Sequence, residues 1–250
     1  MSTNFRTFSP TANCLKNRII AISGAGAGIG RVLATQLAAY GATIILMGRT
    51  VEKLETVYDE IEQAGYPQAA IIPIDFSNTT EAEYENITAN IENEFGKLDG
   101  LIHNAALLGE RIPISNYPMK VWEAVMIVNV NAPFALSKHL LPLLKKSDHG
   151  SIAFTSSSVG RQGRAYWGAY AASKAALENL MQTLADELEE TSNIRVNSID
   201  PGATRTDMRA LAYPAENPST VKDPESLVPL FLYCMADDSI GTTGQQLSYS

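Results

Sequence analysis

The stretch that most restricts the fold of this chain is residues 18–40. Residues 18–23 (RIIAIS) are apolar and β-branched, as in a buried strand, and residues 31–40 place apolar side chains on one helical face. Between them lies a loop with Gly24, Gly28 and Gly30. Glycines let backbone N–H groups approach a phosphate, and a helix N-terminus adds partial positive charge. The order strand, glycine loop, helix therefore predicts a phosphate-binding loop, with a tight turn that binds nothing as the alternative.

The same alternation continues along the rest of the chain and predicts an α/β fold. Further strands are expected at 42–47, 69–74, 100–103, 151–155, 194–199 and 245–249. Helices are expected at 50–64, 80–95, 119–146 with an interruption at Pro133, 166–189 and 227–235. We expect a Rossmann-type doubly wound parallel sheet of about seven strands, with helices on both faces, in a single domain spanning 18–250. Residues 1–17 are predicted to be a loose arm, and the Pro-rich segment near 205–224 a substrate lid.

Composition excludes several other classes of function. The net charge is −8, which disfavours nucleic acid as a partner. No apolar run is long enough for a membrane span, and the N-terminus lacks the apolar region of a signal peptide. Cys14 and Cys234 are isolated, as in a reducing compartment, and the histidines lack metal-ligand spacing. These features predict a cytoplasmic protein without membrane contact and without a metal site.

Candidate catalytic residues cluster at 155–174 (TSSSVGRQGRAYWGAYAASK). Tyr170 and Lys174 are four positions apart and share one face of the predicted helix. An ammonium near a phenol favours the phenolate, so we expect Lys174 to lower the pKa of Tyr170 and make it a general acid and base near neutral pH. Ser157, at the carboxyl end of the fifth strand, could hold the reacting oxygen. The alternative is a buried tyrosine beside a solvated lysine.

Together these patterns resemble the short-chain dehydrogenase/reductase family, over roughly residues 18–248. The serine and Tyr-x-x-x-Lys are similar to its catalytic signature, and Gly24, Gly28 and Gly30 to its G-x-x-x-G-x-G loop. Residues 104–105 resemble its Asn-Asn-Ala-Gly motif, with Ala106 in place of glycine, and residues 201–206 (PGATRT) its P-G-x-x-x-T segment. Residues 154–174 look closest to a bacterial subgroup, the YciK-type oxidoreductases.

The resemblance implies reversible hydride transfer between a nicotinamide cofactor and a small carbonyl or alcohol substrate. In that scheme Tyr170 is the acid and base, Lys174 lowers its pKa and binds the nicotinamide ribose, Ser157 positions the carbonyl oxygen, and Asn129 holds a relay water. It also implies a homodimer or homotetramer, joined through the helices that begin near Met119 and Tyr166. The cofactor-binding residues it implies are Gly24, Gly28, Ile29, Gly30, Arg49, Asp75, Asn104, Ala105, Tyr170, Lys174, Pro201, Gly202, Thr204 and Thr206. A dinucleotide-binding redox sensor without turnover is the alternative.

Two further expectations concern charge. At the end of the second strand, Gly48 offers no carboxylate for a ribose diol, whereas Arg49 can donate to a 2′-phosphate, so NADP is predicted over NAD. Arg161 and Arg164 follow Ser157 closely and could hold an anionic group of the substrate. Solvated loop arginines or subunit contacts are the favoured alternative for that pair.

Overall fold

The computed structural model describes residues 5–249 and contains one parallel sheet of seven strands in the order β3-β2-β1-β4-β5-β6-β7. The strands are β1 (Ile19–Ser23), β2 (Thr43–Gly48), β3 (Ala70–Pro73), β4 (Gly100–His103), β5 (Ser151–Thr155), β6 (Arg195–Asp200) and β7 (Gln246–Ser248). All six neighbouring pairs are parallel. The predicted fold class is confirmed, and each predicted strand lies within two residues of its expected bounds.

Helices connect the strands and cover both faces. They are α1 (Gly28–Ala39), α2 (Val51–Gln63), α3 (Glu81–Phe95), α4 (Met119–Met126), a π-helical turn (Ile127–Asn131), α5 (Ala132–Leu144), α6 (Ser158–Arg161), α7 (Gly168–Glu189), α8 (Asp207–Ala212) and α9 (Val228–Met235). Short 3-10 turns lie at Phe5–Thr7, Ile114–Asn116, Pro218–Thr220, Pro224–Leu227 and Asp237–Ser239. Local sequence explains both ends of α3. Thr80 and Glu83 form a capping box at its start, and Gly96 ends the helix with a φ of 73°.

The side chains of each strand alternate between two cores. In β1, Ile20 and Ile22 pack with α1, α2 and α9 on one face, whereas Ala21 packs with α3, α5 and α7 on the other. Strands buried on both sides need apolar residues at nearly every position, which is why the strand segments read as continuous apolar runs. The order of strands reverses between β1 and β4, so their carboxyl ends border the crevice where folds of this kind bind ligands.

The segment before β1 is packed rather than loose over its described residues. Phe5 and Phe8 lie against the ring of Tyr233, and Leu15 is fully buried in the core beside α1. The expectation of a loose arm rested on a mostly polar composition. It overlooked a few apolar side chains that bury enough surface to hold the segment on α9.

The run from Met119 to Leu144 is long and apolar enough to cross a membrane by length and composition, with a mean hydropathy of 1.2. Its buried side chains, among them Leu136, Leu140 and Leu144, pack in the core on the α3 and α7 face of the sheet. It is therefore a core helix of this domain. Its distortion is the π turn at Ile127–Asn131, just before the interruption predicted at Pro133.

Candidate functional site

The glycine loop after β1 leaves backbone donors free at the start of α1. Gly24 and Gly28 adopt positive φ values of 70° and 52°, a conformation that side chains disfavour. No side chain caps α1 at Ala27, and its first turn contains no acidic residue. A β-carbon on Gly30 would overlap the carbonyl oxygen of Gly24. Gly30 therefore lets the helix pack against the loop, and the uncapped N–H groups suit an anion.

The loop after β4 is fastened directly to the glycine loop. The Ser23 hydroxyl accepts hydrogen bonds from the backbone N–H groups of Asn104 and Ala105, at 2.9 Å and 3.1 Å. The Asn104 amide donates to the Gly24 carbonyl at 3.4 Å. A β-carbon on Gly24 would lie 3.0 Å from Cα of Ala105, so the two loops approach closely only because that position is glycine. These contacts set the crevice between β1 and β4.

One cavity of about 460 Å³ runs along the carboxyl edge of the sheet. It brings together most of the residues that the sequence predicted for the cofactor and the reaction. Those that line it are Gly24, Gly28, Ile29, Arg49, Asp75, Asn104, Ala105, Ser157, Tyr170, Lys174, Pro201, Gly202, Thr204 and Thr206. Gly30 and Asn129 do not line the cavity and lie behind its wall.

Tyr170, Lys174 and Ser157 all line this cavity. The Lys174 ammonium donates to the Thr155 carbonyl oxygen at 2.7 Å and lies 5.5 Å from the centroid of the Tyr170 ring. A β-carbon on Gly160 would lie 2.8 Å from Cβ of Lys174, so this glycine lets α6 press against α7. Ser157 precedes α6, and its hydroxyl does not cap that helix. The hydroxyl is thus available to a ligand in the cavity.

Burial dominates the electrostatics of this site. It lowers the pKa of Lys174 to about 8, although the charge of Glu178 raises it in part. Burial, and after it the negative charge of Asp200, raises the pKa of Tyr170. The expectation that Lys174 lowers the tyrosine pKa is therefore wrong for the protein without a bound cofactor. The lysine is itself desolvated, and the tyrosine pKa is set by the cost of burying a phenolate and by the charge of Asp200.

Asn129 connects two walls of the cavity. It lies in the π turn, is 1% exposed, and its Oδ1 accepts from the Leu107 N–H at 2.7 Å. Its Nδ2 donates to the Leu107 carbonyl at 2.9 Å and to the Ser173 hydroxyl at 3.0 Å. Both amide protons are therefore used. A relay water would have to contact the second lone pair of Oδ1 or the backbone.

The end of the cavity beyond β2 is basic. Arg49 and Lys53 both line it, and both are exposed. The Asp75 carboxylate accepts from the hydroxyl and the N–H of Ser77 at 2.7 Å and 3.1 Å, which lowers the pKa of Asp75. Sequence reasoning found Arg49 and missed Lys53. The spacing could have identified it, because Lys53 lies one helical turn further on, in the first turn of α2.

The opposite end of the cavity is mostly apolar, with Leu107, Leu108, Met208 and Ala212 in its wall beside the charged Asp207 and Arg209. Trp167 completes this wall, and its ring centroid lies 5.7 Å from that of Tyr170. Sequence reasoning did not assign this wall, because its residues come from segments with weak periodicity.

Two further hydroxyls in the cavity, those of Thr155 and Ser156, are buried without a hydrogen-bond partner among residues 5–249.

The predicted arginine pair is divided. Arg161 donates to Glu178 at 3.1 Å, to the Ser248 hydroxyl at 2.6 Å and to the Leu247 carbonyl at 3.3 Å, so it ties β7 to α7 and does not line the cavity. Arg164 is exposed and donates to the Tyr213 hydroxyl at 3.3 Å. The buried carboxylate of Glu178 explains why Arg161 is held away from the site.

A parallel sheet of this order, with a glycine loop and a tyrosine and lysine one helical turn apart at its carboxyl edge, defines a nicotinamide-dependent oxidoreductase. The family model described as short chain dehydrogenase matches residues 18–217. The chain belongs to the short-chain dehydrogenase/reductase family and is an oxidoreductase of that family.

Relatives at high identity extend over nearly the whole chain. YciK, an oxidoreductase of Escherichia coli K12, is 49% identical over 95% of this chain and 93% of its own length. A short-chain dehydrogenase from Shigella flexneri 2a complexed with NADP is 48% identical, with a TM-score of 0.93 over 95% of this chain and 99% of that one. One from Escherichia coli CFT073 complexed with NADPH is 49% identical, with a TM-score of 0.93 over 96% and 99%. The expected resemblance to the YciK type is confirmed.

Proposed function

We propose that this protein is an NADP(H)-dependent oxidoreductase that transfers a hydride between the nicotinamide and a small carbonyl or alcohol substrate. The observation that supports this most directly is the single cavity shared by the glycine loop, Ser157, Tyr170 and Lys174. Tyr170 gives or takes the proton of the reacting oxygen, and Ser157 donates a hydrogen bond to that oxygen. Lys174 holds a positive charge beside both, and Asn129 fixes the Leu107 loop and the turn of α7 that contains Ser173.

The residues of the cavity fit a nicotinamide dinucleotide. The uncapped start of α1 and the left-handed glycines suit its pyrophosphate. The unpaired hydroxyls of Thr155 and Ser156, buried near Lys174, offer hydrogen bonds to its polar groups. When bound, this cofactor supplies the hydride. By family resemblance, Pro201, Gly202, Thr204 and Thr206 would hold the nicotinamide end, and Asp75, Asn104 and Ala105 the adenosine side.

The preference for NADP rests on the charge beyond β2. Arg49 and Lys53 present two cations to this end of the cavity, against the carboxylate of Asp75, and Gly48 adds no second carboxylate at the end of β2. An arginine fork and a lysine ammonium are suitable donors to phosphate oxygens. The related dehydrogenases from Shigella and Escherichia that are described as complexed with NADP or NADPH support the same preference.

The reaction is tested by following NADPH oxidation with a panel of aldehydes and ketones. Tyr170→Phe should keep NADPH binding and lower kcat by about 10²–10⁴-fold, because the proton donor is removed. Tyr166→Phe is the matched control: that tyrosine is exposed, lies just before α7, and should leave kcat unchanged. Near-normal turnover by Tyr170→Phe would refute the assignment.

Cofactor preference is tested by measuring Kd for NADPH and NADH. Charge-assisted hydrogen bonds contribute about 1.5–3 kcal/mol each, so the wild type should prefer NADPH by roughly tenfold to several hundredfold. Gly48→Asp combined with Arg49→Ile should reverse this preference. A β-carbon on Gly48 would lie 3.3 Å from the Leu54 methyl, a flexible neighbour, so the variant can fold. Equal affinities in the wild type would mean that Arg49 and Lys53 face solvent.

The segment near 205–224 is proposed to cover the substrate as a lid. Thr206, the N-cap of α8, and Met208 and Ala212 within that helix line the cavity. The two ends of the segment are joined by a β-bridge between Thr204 and Lys222 and by an ion pair between Arg205 and Asp223. Its position over the apolar end suits control of substrate entry. Protection of this segment from proteolysis by NADPH with substrate would test the role.

The protein is further proposed to act in the cytoplasm as a homodimer or homotetramer. Met119 and Phe134, 66% and 55% exposed, are apolar side chains on α4 and α5, which form the first of the two helices expected to join subunits. The sequence also suggested a face of small residues on the second helix, α7, at Ala169, Ala172 and Ala176, but Ala169 is fully buried within one subunit and does not contribute to such a face. The free thiols of Cys14 and Cys234 suit a reducing compartment. Light scattering at micromolar concentration that shows a monomer would refute the assembly.

A further inference from the structure

The indole N–H of Trp167 has no acceptor, although it is deeply buried. Trp167 is 7% exposed, lines the cavity, and its Nε1 has no hydrogen-bond partner in the part of the chain that the structure describes. Its ring lies beside that of Tyr170, at a centroid distance of 5.7 Å. Buried donors are nearly always paired in folded proteins, because an unpaired one is costly. An acceptor from a bound molecule would satisfy this donor.

The Trp167 ring is also held in place. The Arg111 guanidinium lies 4.7 Å from its centroid and 4.6 Å from that of Tyr213, so the arginine packs against both aromatic rings, whose centroids are 5.9 Å apart. Arg111 also donates to the Ala212 carbonyl at the end of α8. Turning the indole outward would break this stack. The indole is therefore held in one orientation, with its ring beside that of the proposed proton donor.

Among the described residues, the remaining wall offers no unpaired cation to an anionic ligand, and its exposed Asp207 is a carboxylate that repels an anion. Leu107, Leu108, Met208 and Ala212 are apolar. Arg209, which also lines the cavity, donates to both carboxylate oxygens of Glu216 at 2.7 Å and 2.6 Å and is neutralised by them. An uncharged ligand with an apolar body fits this end better than an anion.

We propose that the substrate is an uncharged carbonyl compound with a second hydrogen-bond acceptor a few bonds from the reacting carbonyl, and that Trp167 donates to this acceptor. Vicinal diketones and neutral keto esters are compounds of this class. The inference rests on the proposed carbonyl reduction and assigns Trp167 a role in specificity. Tyr170 and Ser157 act on the reacting oxygen, and Trp167 acts on its neighbour.

A matched pair of substrates tests this. Acetylbenzoyl is a vicinal diketone, and phenylacetone has a methylene in place of the second carbonyl. Trp167→Phe should lower kcat/KM for acetylbenzoyl by about ten- to hundredfold, as expected for one lost hydrogen bond to a buried group, and leave phenylacetone within about threefold. Comparing the two substrates across the two enzymes cancels the greater intrinsic reactivity of the diketone. Trp122→Phe, which changes the other tryptophan of the chain, should leave both values unchanged.

Replacing Trp167 with benzothienylalanine is the sharper variant, because sulfur replaces the N–H and the bicyclic shape is kept. It should reproduce the selective loss. Calorimetric titration of the NADP-loaded enzyme adds a readout without turnover: acetylbenzoyl should bind at least about tenfold more weakly to this variant than to the wild type. Equal effects on both substrates, or an unchanged Kd, would overturn the inference and leave the proposed function intact. Absence of all carbonyl turnover, with the selective change in Kd retained, would refute the proposed function instead.

Discussion

Replacing the buried Lys174 should make the protein more stable while abolishing its activity. Lys174 is 3% exposed, and burial lowers its pKa from the ordinary 10.5 to about 8. At neutral pH the folded protein must therefore hold a desolvated ammonium that the unfolded chain holds in water. Methionine has a similar length and no charge, so Lys174→Met removes this cost.

The size and sign of the effect follow from the two pKa values. Below pH 8 lysine is protonated in both states, and a difference from 10.5 to about 8 corresponds to a cost of about 3 kcal/mol in the folded state. As the pH rises through the folded pKa, the native protein loses its proton first and the unfolded chain still binds one. Wild-type stability should therefore rise relative to the variant by about 2–3 kcal/mol between about pH 7 and pH 10.

Urea unfolding of both proteins without cofactor, at matched concentrations and over this pH range, measures the difference in the free energy of unfolding. Lys120→Met is the matched control, because Lys120 is exposed on α4 and its replacement also removes one positive charge. The difference in the free energy of unfolding between wild type and Lys174→Met should decrease as the pH rises. The corresponding difference between wild type and Lys120→Met should stay constant. A constant difference for Lys174→Met would mean that its ammonium is solvated, and would refute the reasoning.

Three further predictions concern the walls of the cavity. Asn129→Ala should cost about 2–4 kcal/mol of stability, because buried partners lose their hydrogen bonds, whereas the exposed Asn131→Ala should cost little; urea unfolding compares them. Gly30→Ala should weaken NADPH binding by about tenfold or more, since its β-carbon would overlap the glycine loop; Gly163→Ala, where a β-carbon meets open space, should leave Kd unchanged. Ser157→Ala should lower kcat by about 10²–10³-fold with little change in the Kd of NADPH, in steady-state and binding assays.

The sequence was sufficient for the fold because strand and helix periods are local properties. Continuous apolar runs such as residues 18–23 and 42–47 predicted β1 and β2, and the loop between β1 and α1 identified the edge of the sheet where ligands bind. The sequence did not predict that the N-terminal segment is ordered, because its packing does not follow from a local period. A few apolar residues, Phe5, Phe8 and Leu15, are separated by polar ones and show no period, and they pack on surfaces contributed by α9 and α1.

The cavity was only partly predictable, because its walls meet through tertiary contacts. Spacing within α7 brought Tyr170 and Lys174 together, but no local pattern indicates that Arg111 stacks against Trp167 and Tyr213. The hydrogen bonds of Asn129 to the Leu107 loop are of the same kind, since they join residues 22 positions apart. Sequence patterns locate such residues on elements. Only the packed structure assigns their partners.

The error about the pKa of Tyr170 follows from the same limit. Spacing identifies Lys174 as a neighbour and says nothing about how much water is excluded, which decides whether attraction or desolvation is larger. Burial moves both groups toward their uncharged forms, raising the pKa of Tyr170 and lowering that of Lys174 to about 8. A tyrosine that stays protonated at neutral pH can give its proton to a carbonyl oxygen but is a poor base for an alcohol. Without a cofactor the phenol of Tyr170 is therefore in the protonated form that a proton donor needs.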